Sequence, residues 1–260
     1  LLVVAVVRTG DRATDEALLE RVLTAPEIVV LHPAPLSEPA TATLLETALR
    51  RPVDPRFAAS CFHATVGNPL LLHALASTLA RDRIDPTAAN TDRITEIGPR
   101  AVSHLVSVRL AHVHPEVRAT ARAVAILGPG AGLREVAELA GIDQMTADEA
   151  VRELARMGLL DVGRASSSRD ARVSYTHTLV EAAVYGEMSV PERAVAQRRA
   201  ASVLARLGAP PEHVAAHLLK TPPDGDRDTV AVLRRAATVA ENRGSAEAAI
   251  SARSSFRRSV

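Results

Sequence analysis

The chain reads as mainly α-helical, with a remnant of a parallel α/β sheet at its start, and three observations carry that reading. Residues 1–7, "LLVVAVV", are an unbroken apolar run rich in β-branched side chains, the pattern of a strand buried on both faces. A second short run, "EIVVL" at 27–31, follows a helical pattern at 14–23, so the order is strand, helix, strand. Beyond it the apolar residues recur at spacings of three and four. Aromatic residues make up only 2% of the chain and tryptophan is absent, so the cores must be built from Leu, Val and Ala between packed helices.

Taken in order, "LSEPATATLLETAL" opens with Ser37 as an N-cap and carries Pro39 in its first turn, where proline is tolerated. A helix from Asp54 to Ala64 and another from the Gly67-Asn68-Pro69 triplet to Arg81 follow. "GPRAVSHLVSVRLAHV" from Gly98 lines up Val102, Leu105, Val106 and Leu110 along one side. From Pro115 a different unit begins: "PEVRATARAVAIL", "LREVAELAG" and "TADEAVRELARMG", the last opened by Thr146 and Glu149 in capping-box spacing. A hairpin, "LLDV" and "RVSY" around the tip "GRASSSRDA", completes the pattern of a winged helix. Helices at 191–207, 210–219, 226–243 and 246–258 look like the start of a TPR-like helical solenoid. The expected segments are 1–36, 37–113, 114–189 and 190–260.

A net charge of +1 over 260 residues supplies no chain-wide field to attract nucleic acid or an anionic membrane. The single cysteine, Cys61, rules out an intramolecular disulfide and fits core packing in a reducing compartment. No apolar run approaches the roughly 18 residues of a membrane span and no signal-peptide pattern is present, so a cytoplasmic location is expected. The first residue is Leu1, already inside an apolar run, and the last segment, "SSFRRSV", has no helix stop; the chain reads as a piece of something larger.

No complete catalytic constellation is visible. The only lysine, Lys220, has no glycine framework before it, and no acidic residue ends the first apolar run, so Walker A and Walker B residues are missing. "GPGAG" at 128–132 follows a helix rather than a strand and reads as a turn. His213 and His217 stand one helical turn apart, but no third ligand lies in sequence reach, so no metal site is assigned.

Four residues at three places remain open between a structural and a binding role. Arg8 follows the first apolar run, where α/β proteins place ligands; it is either a strand-end charge or a phosphate contact. Asn68 and Pro69 make a normal helix start or a fixed wall of a site. His177, at the start of a helix, is either satisfied by backbone or donates to a phosphate.

These stretches together, "LLVVAVVRTG", "VLHPAPLSEPA", "CFHATVGNPLLLHAL", "IGPRAVSHLVSVRL", "ARAVAILG", "THTLVEAAVYGEMSVPERAVAQRRAASVLA" and "GAPPEHVAAHLLKTPPDGD", make the chain similar to a known family. It resembles the central part of the large ATP-binding LuxR-family transcriptional regulators, signal-transducing AAA-type ATPases of the STAND class related to the maltose-operon activator. The resemblance implies that 1–36 is the C-terminal remnant of the α/β nucleotide-binding domain and 37–113 a helical lid. It implies that Arg8 is a sensor arginine, that Gly67, Asn68 and Pro69 form the adenine-side lid motif, and that His177 contacts the phosphates of ADP. Family members read His-Pro-Leu-Val-Arg where this chain has His177-Thr178-Leu179-Val180-Glu181.

The implied function is a nucleotide-gated transcriptional regulator, a slow ATPase switch using ATP or ADP with Mg. The P-loop and the DNA-binding helix-turn-helix would belong to other segments, and an inducer or protein partner would bind the helical repeats. Two alternatives stand beside it: a stand-alone winged-helix DNA-binding protein, with Arg152, Arg156 and the wing arginines Arg164, Arg169 and Arg172 as its basic patch, and a helical protein-interaction scaffold.

Overall fold

The computed structural model describes residues 4–6, 16–26, 28–163, 171–222 and 227–242. Arg8, the hairpin tip at 164–170 and the helix expected at 246–258 lie outside them. The described residues are mainly helical: α1 (Glu16–Leu23), α2 (Glu38–Leu49), α3 (Pro55–Thr65), α4 (Pro69–Arg81), α5 (Arg93–Ala111), α6 (Pro115–Leu127), β1 (Ala131–Gly132), α7 (Leu133–Ala140), α8 (Gln144–Arg156), β2 (Leu160–Val162), β3 (Arg172–Tyr175), α9 (Thr178–Glu187), α10 (Val190–Arg206), α11 (Pro211–Leu218) and α12 (Arg227–Asn242).

The parallel-sheet remnant is corrected by the structure. Residues 4–6 and 28–36 have no regular secondary structure. Val6 is 95% exposed and Leu31 79%. A strand buried on both faces needs hydrogen-bonded neighbours and covering helices. Among the described residues neither segment pairs with a strand, and apolar content alone does not make one.

Two compact units are distinguished, each discontinuous in sequence. The first comprises 1–108, 152–160 and 176–183. Its core is the meeting of α2, α3 and α4 around Leu45, Phe57, Leu72, Leu75 and Leu79, all sealed from solvent. Burying each such side chain stabilises by about 1.5–3 kcal/mol. The helix starts are local and legible: Ser37 Oγ accepts from Ala40 N at 3.3 Å, and Asp54 Oδ1 from Arg56 N at 2.8 Å. Cys61 faces this core, and burial pushes its thiol up to about 12, so it stays protonated filler.

Helix α5 begins at Arg93, not at Gly98, and carries Pro99 inside it. The bare Cα of Gly98 has a reason: a Cβ there would stand 2.4 Å from Leu179 Cδ2, so the glycine seats that leucine against α5.

The second unit comprises 109–151, 161–175 and 184–260. Helices α6 and α7 pack together, and a small sheet in the order β1-β3-β2 lies beside them. Ala131 of β1 pairs antiparallel with Val173, and Gly132 with Arg172. The hairpin is held where Gly163 N donates to Arg172 O at 2.8 Å. Tyr175 Oη donates to Ala121 O at 2.7 Å and pins the end of β3 to α6. "GPGAG" is therefore more than a turn: Gly128 and Gly130 take positive φ, and its last two residues form β1.

Helix α8 starts two residues before Thr146, and its cap is Asp143. That carboxylate accepts from Met145 N and Thr146 N, both at 3.0 Å, and from Thr146 Oγ1 at 2.6 Å. These bonds hold the Asp143 carboxyl below its usual range. Further on, Ser189 and Glu192 form a reciprocal capping box at the start of α10, and α11 packs on both α10 and α12.

Candidate functional site

The chain leaves α3 through two consecutive left-handed residues, Val66 at φ 51° and Gly67 at φ 69°. For a β-branched valine this is a strained conformation, costing on the order of 1–3 kcal/mol. Gly67 has no alternative. Its carbonyl accepts from Leu36 N at 2.9 Å, and a Cβ on it would lie 2.1 Å from Leu36 O. The turn is thus clamped to the segment before α2, and it delivers Asn68 and Pro69 as the cap and first residue of α4.

Asn68 performs two tasks with the two ends of one amide. Its Oδ1 accepts from Leu70 N at 3.0 Å and Leu71 N at 3.4 Å, which caps α4 and fixes which way the amide points. Its Nδ2 then faces Nε2 of His177 at 3.3 Å, across 109 residues of sequence but inside the same compact unit. An amide nitrogen only donates. Nε2 must accordingly be the acceptor, which puts the ring proton on Nδ1.

That Nδ1 is buried and has no hydrogen-bond partner among the described residues. The carbonyl of His177 is used locally, accepting from Val180 N at 3.0 Å and Glu181 N at 3.2 Å as α9 begins. The main chain therefore accounts for the His177 backbone but not for its ring. Burial pushes the imidazole below its ordinary value, and protonating Nε2 would set N–H against N–H. His177 is neutral at pH 7, with a single orphaned donor.

Replacing Asn68 by Asp should preserve the helix cap and reverse this logic. A carboxylate oxygen facing Nε2 accepts from the ring, so His177 should titrate at higher pH in Asn68→Asp than in the wild type. Nitrogen-detected NMR of the imidazole reads both the tautomer and the titration; coincident curves would refute the assignment.

Whether these residues suit a nucleotide is decided by what they leave free. The amides of Leu70 and Leu71 are consumed by Asn68 Oδ1 and Pro69 has none, so the start of α4 offers no phosphate cradle at these positions. What remains is an exposed apolar turn, Val66, Pro69 and Leu70, and one imidazole N–H without an acceptor. The structure brings Gly67, Asn68, Pro69 and His177 together; Arg8 lies outside the described residues.

Sequence reading missed a second polar constellation. Gln197, fully buried, accepts at Oε1 from Nδ1 of His217 at 2.7 Å and donates from Nε2 to Tyr185 Oη at 3.3 Å. The guanidinium of Arg193 covers the Tyr185 ring at 5.2 Å. His217 is thus a buried link between α10 and α11, whereas His213 is exposed. The signal was present: Gln197 lies on the same helical face as Ala200, Ala201 and Leu204, where a polar residue demands a partner. Among the described residues no three His, Cys, Asp or Glu side chains are grouped as a metal ion requires, and no helix is long and apolar enough to cross a membrane.

No protein-family model matches the chain, and no curated protein matches it either.

Proposed function

We propose that this chain is the central segment of a nucleotide-gated transcriptional regulator, a slow ATPase switch of the STAND class. The observation that carries the reading is the 3.3 Å contact between Asn68 and His177. The family resemblance assigns both residues to one nucleotide, and they meet although they are remote in sequence. In this reading residues 37–113 are the lid. The order helix, strand, helix, helix, strand, strand from α6 to β3 is a winged helix acting as an internal switch. Helices α10 to α12 begin a TPR-like array that receives an inducer or protein partner.

Pro69 and Leu70 face the base, and His177 donates from Nδ1 to a phosphate oxygen. Asn68 is a positioning residue: it keeps the Nδ1–H tautomer that the donation needs. Bound ADP, with Mg accompanying ATP, would supply the acceptor that the orphaned donor lacks. Exchange for ATP would shift a two-state equilibrium to the extent that the two nucleotides differ in affinity for the two states. DNA contact falls to a separate helix-turn-helix domain of the regulator.

The test is ADP affinity, by calorimetry, in the regulator that joins this chain to a P-loop segment. His177→Ala and Asn68→Ala should each weaken ADP by about tenfold, the loss of one charge-assisted hydrogen bond. Unchanged affinity in both variants would overturn the proposal.

A further inference from the structure

A groove of about 660 Å³ runs within the second unit, between α6, the end of α7 and the first turns of α10. Ile126, Leu139 and Met188 form its buried apolar floor. Small residues, Ala119, Ala140 and Ala196, leave the space open, and Val195, 68% exposed, forms a greasy lip. The volume falls in the range of small-molecule sites, about 300–1,000 Å³.

Three guanidiniums line this apolar trough: Arg118, Arg122 and Arg199. Arg118 is held in place from behind, its Nε donating to Leu110 O at 3.1 Å and its Nη2 to Ala111 O at 3.3 Å. Arg199 donates from Nη2 to Glu138 O at 3.4 Å. It passes over Gly141, where a Cβ would stand 3.1 Å from that nitrogen. Arg122 acts on Glu192, the one acidic residue lining the groove among the described residues, and Glu192 is already committed to the cap of α10 through Ser189 N at 2.7 Å and Ser189 Oγ at 2.6 Å. Three positive charges, two of them held by backbone carbonyls, against one engaged carboxylate leave the lining with an excess of two, above a floor with no polar group to offer.

We infer that this groove binds a small amphipathic anion, a carboxylate or phosphate carrying an aliphatic body. The anionic head would take the guanidinium N–H donors that these backbone bonds leave free, on Arg122 above all, which suit a carboxylate or phosphate in charge and geometry. The aliphatic body would cover Ile126, Leu139 and Met188. An uncharged or cationic amphiphile of the same length gains the second term without the first. The inference stands on the second unit alone and is independent of the nucleotide reading.

Decanoate, below its micelle concentration, is the probe, and amide and methyl NMR shifts of the whole chain are the readout. Saturable shifts should centre on the Met188 methyl and on α6 and α10. Arg122→Ala and Arg199→Ala, both exposed positions, should each weaken binding by about tenfold. Ala196→Leu should abolish it by filling the trough while leaving the helical circular dichroism unchanged. Decyltrimethylammonium should bind at least tenfold more weakly than decanoate. Three results would sink the idea: no saturation with decanoate, equal binding of the cation, or arginine variants that bind like the wild type. Groove shifts that track protein concentration without any ligand would assign the surface to a second copy of the chain, and would also overturn it.

Discussion

Gly67→Ala should be the most damaging single-methyl change in the first unit, costing about 3 kcal/mol or more. Two penalties combine. A non-glycine residue held at φ 69° costs on the order of 1–2 kcal/mol. The added Cβ would also stand 2.1 Å from a backbone oxygen, Leu36 O, which cannot rotate away as a side chain can. Relief requires moving Leu36 and losing its N–H bond to Gly67 O, worth about a further 0.5–1.5 kcal/mol. Gly158→Ala is the matched control: φ is 70°, the residue lies in the same unit, and nothing stands within 4 Å of the Cβ position. Urea unfolding should show a loss of about 1 kcal/mol for Gly158→Ala and at least twice that for Gly67→Ala. Equal losses would mean that the clamp on Leu36 contributes nothing. The Asn68–His177 contact should disappear together with the clamp, so the imidazole resonances of His177 report the same event.

Acid should weaken the second unit through one residue. His217, 6% exposed, donates from Nδ1 to Gln197 Oε1 and is held down to about 4, first by burial and then by the charges of Lys220 and His213. Its value in the unfolded chain is the ordinary 6.5. Between those two values the unfolded state binds a proton that the folded state refuses. Stability is therefore complete above pH 6.5 and falls as pH drops towards 4, by roughly 3 kcal/mol in all. His217→Gln keeps a side-chain donor within reach of Gln197 and cannot titrate. Unfolding free energy measured from pH 7 to 4 should therefore slope less in this variant. Parallel slopes would show that another group governs acid sensitivity.

Much of the helical content was readable because helix boundaries are local chemistry. Ser37, Asp54, Asn68 and Ser189 cap their helices through contacts two or three residues away, and Gly141 ends α7 in the left-handed conformation. Two local signals compete at two helix starts. Thr146 looked like the cap of α8, but Asp143, three residues earlier, captures its amide and its hydroxyl. At α5 the Gly98-Pro99 pair looked like a start, whereas proline is accommodated inside the helix and glycine makes room for Leu179.

By itself, the sequence determined a mainly helical chain, the caps of its helices and the amphipathic faces that make its cores, because each follows from side chains within one or two turns. Tertiary structure alone decided the rest. It denied strands to the apolar runs at 4–6 and 28–31, since a strand exists only with a partner, and it made a strand of Ala131–Gly132, which carries no strand signal, by pairing it with β3. It also set Asn68 against His177 and Gln197 against His217. A hydrogen bond between residues far apart in the chain leaves no local periodicity; only the packing of the elements that carry them brings donor and acceptor together.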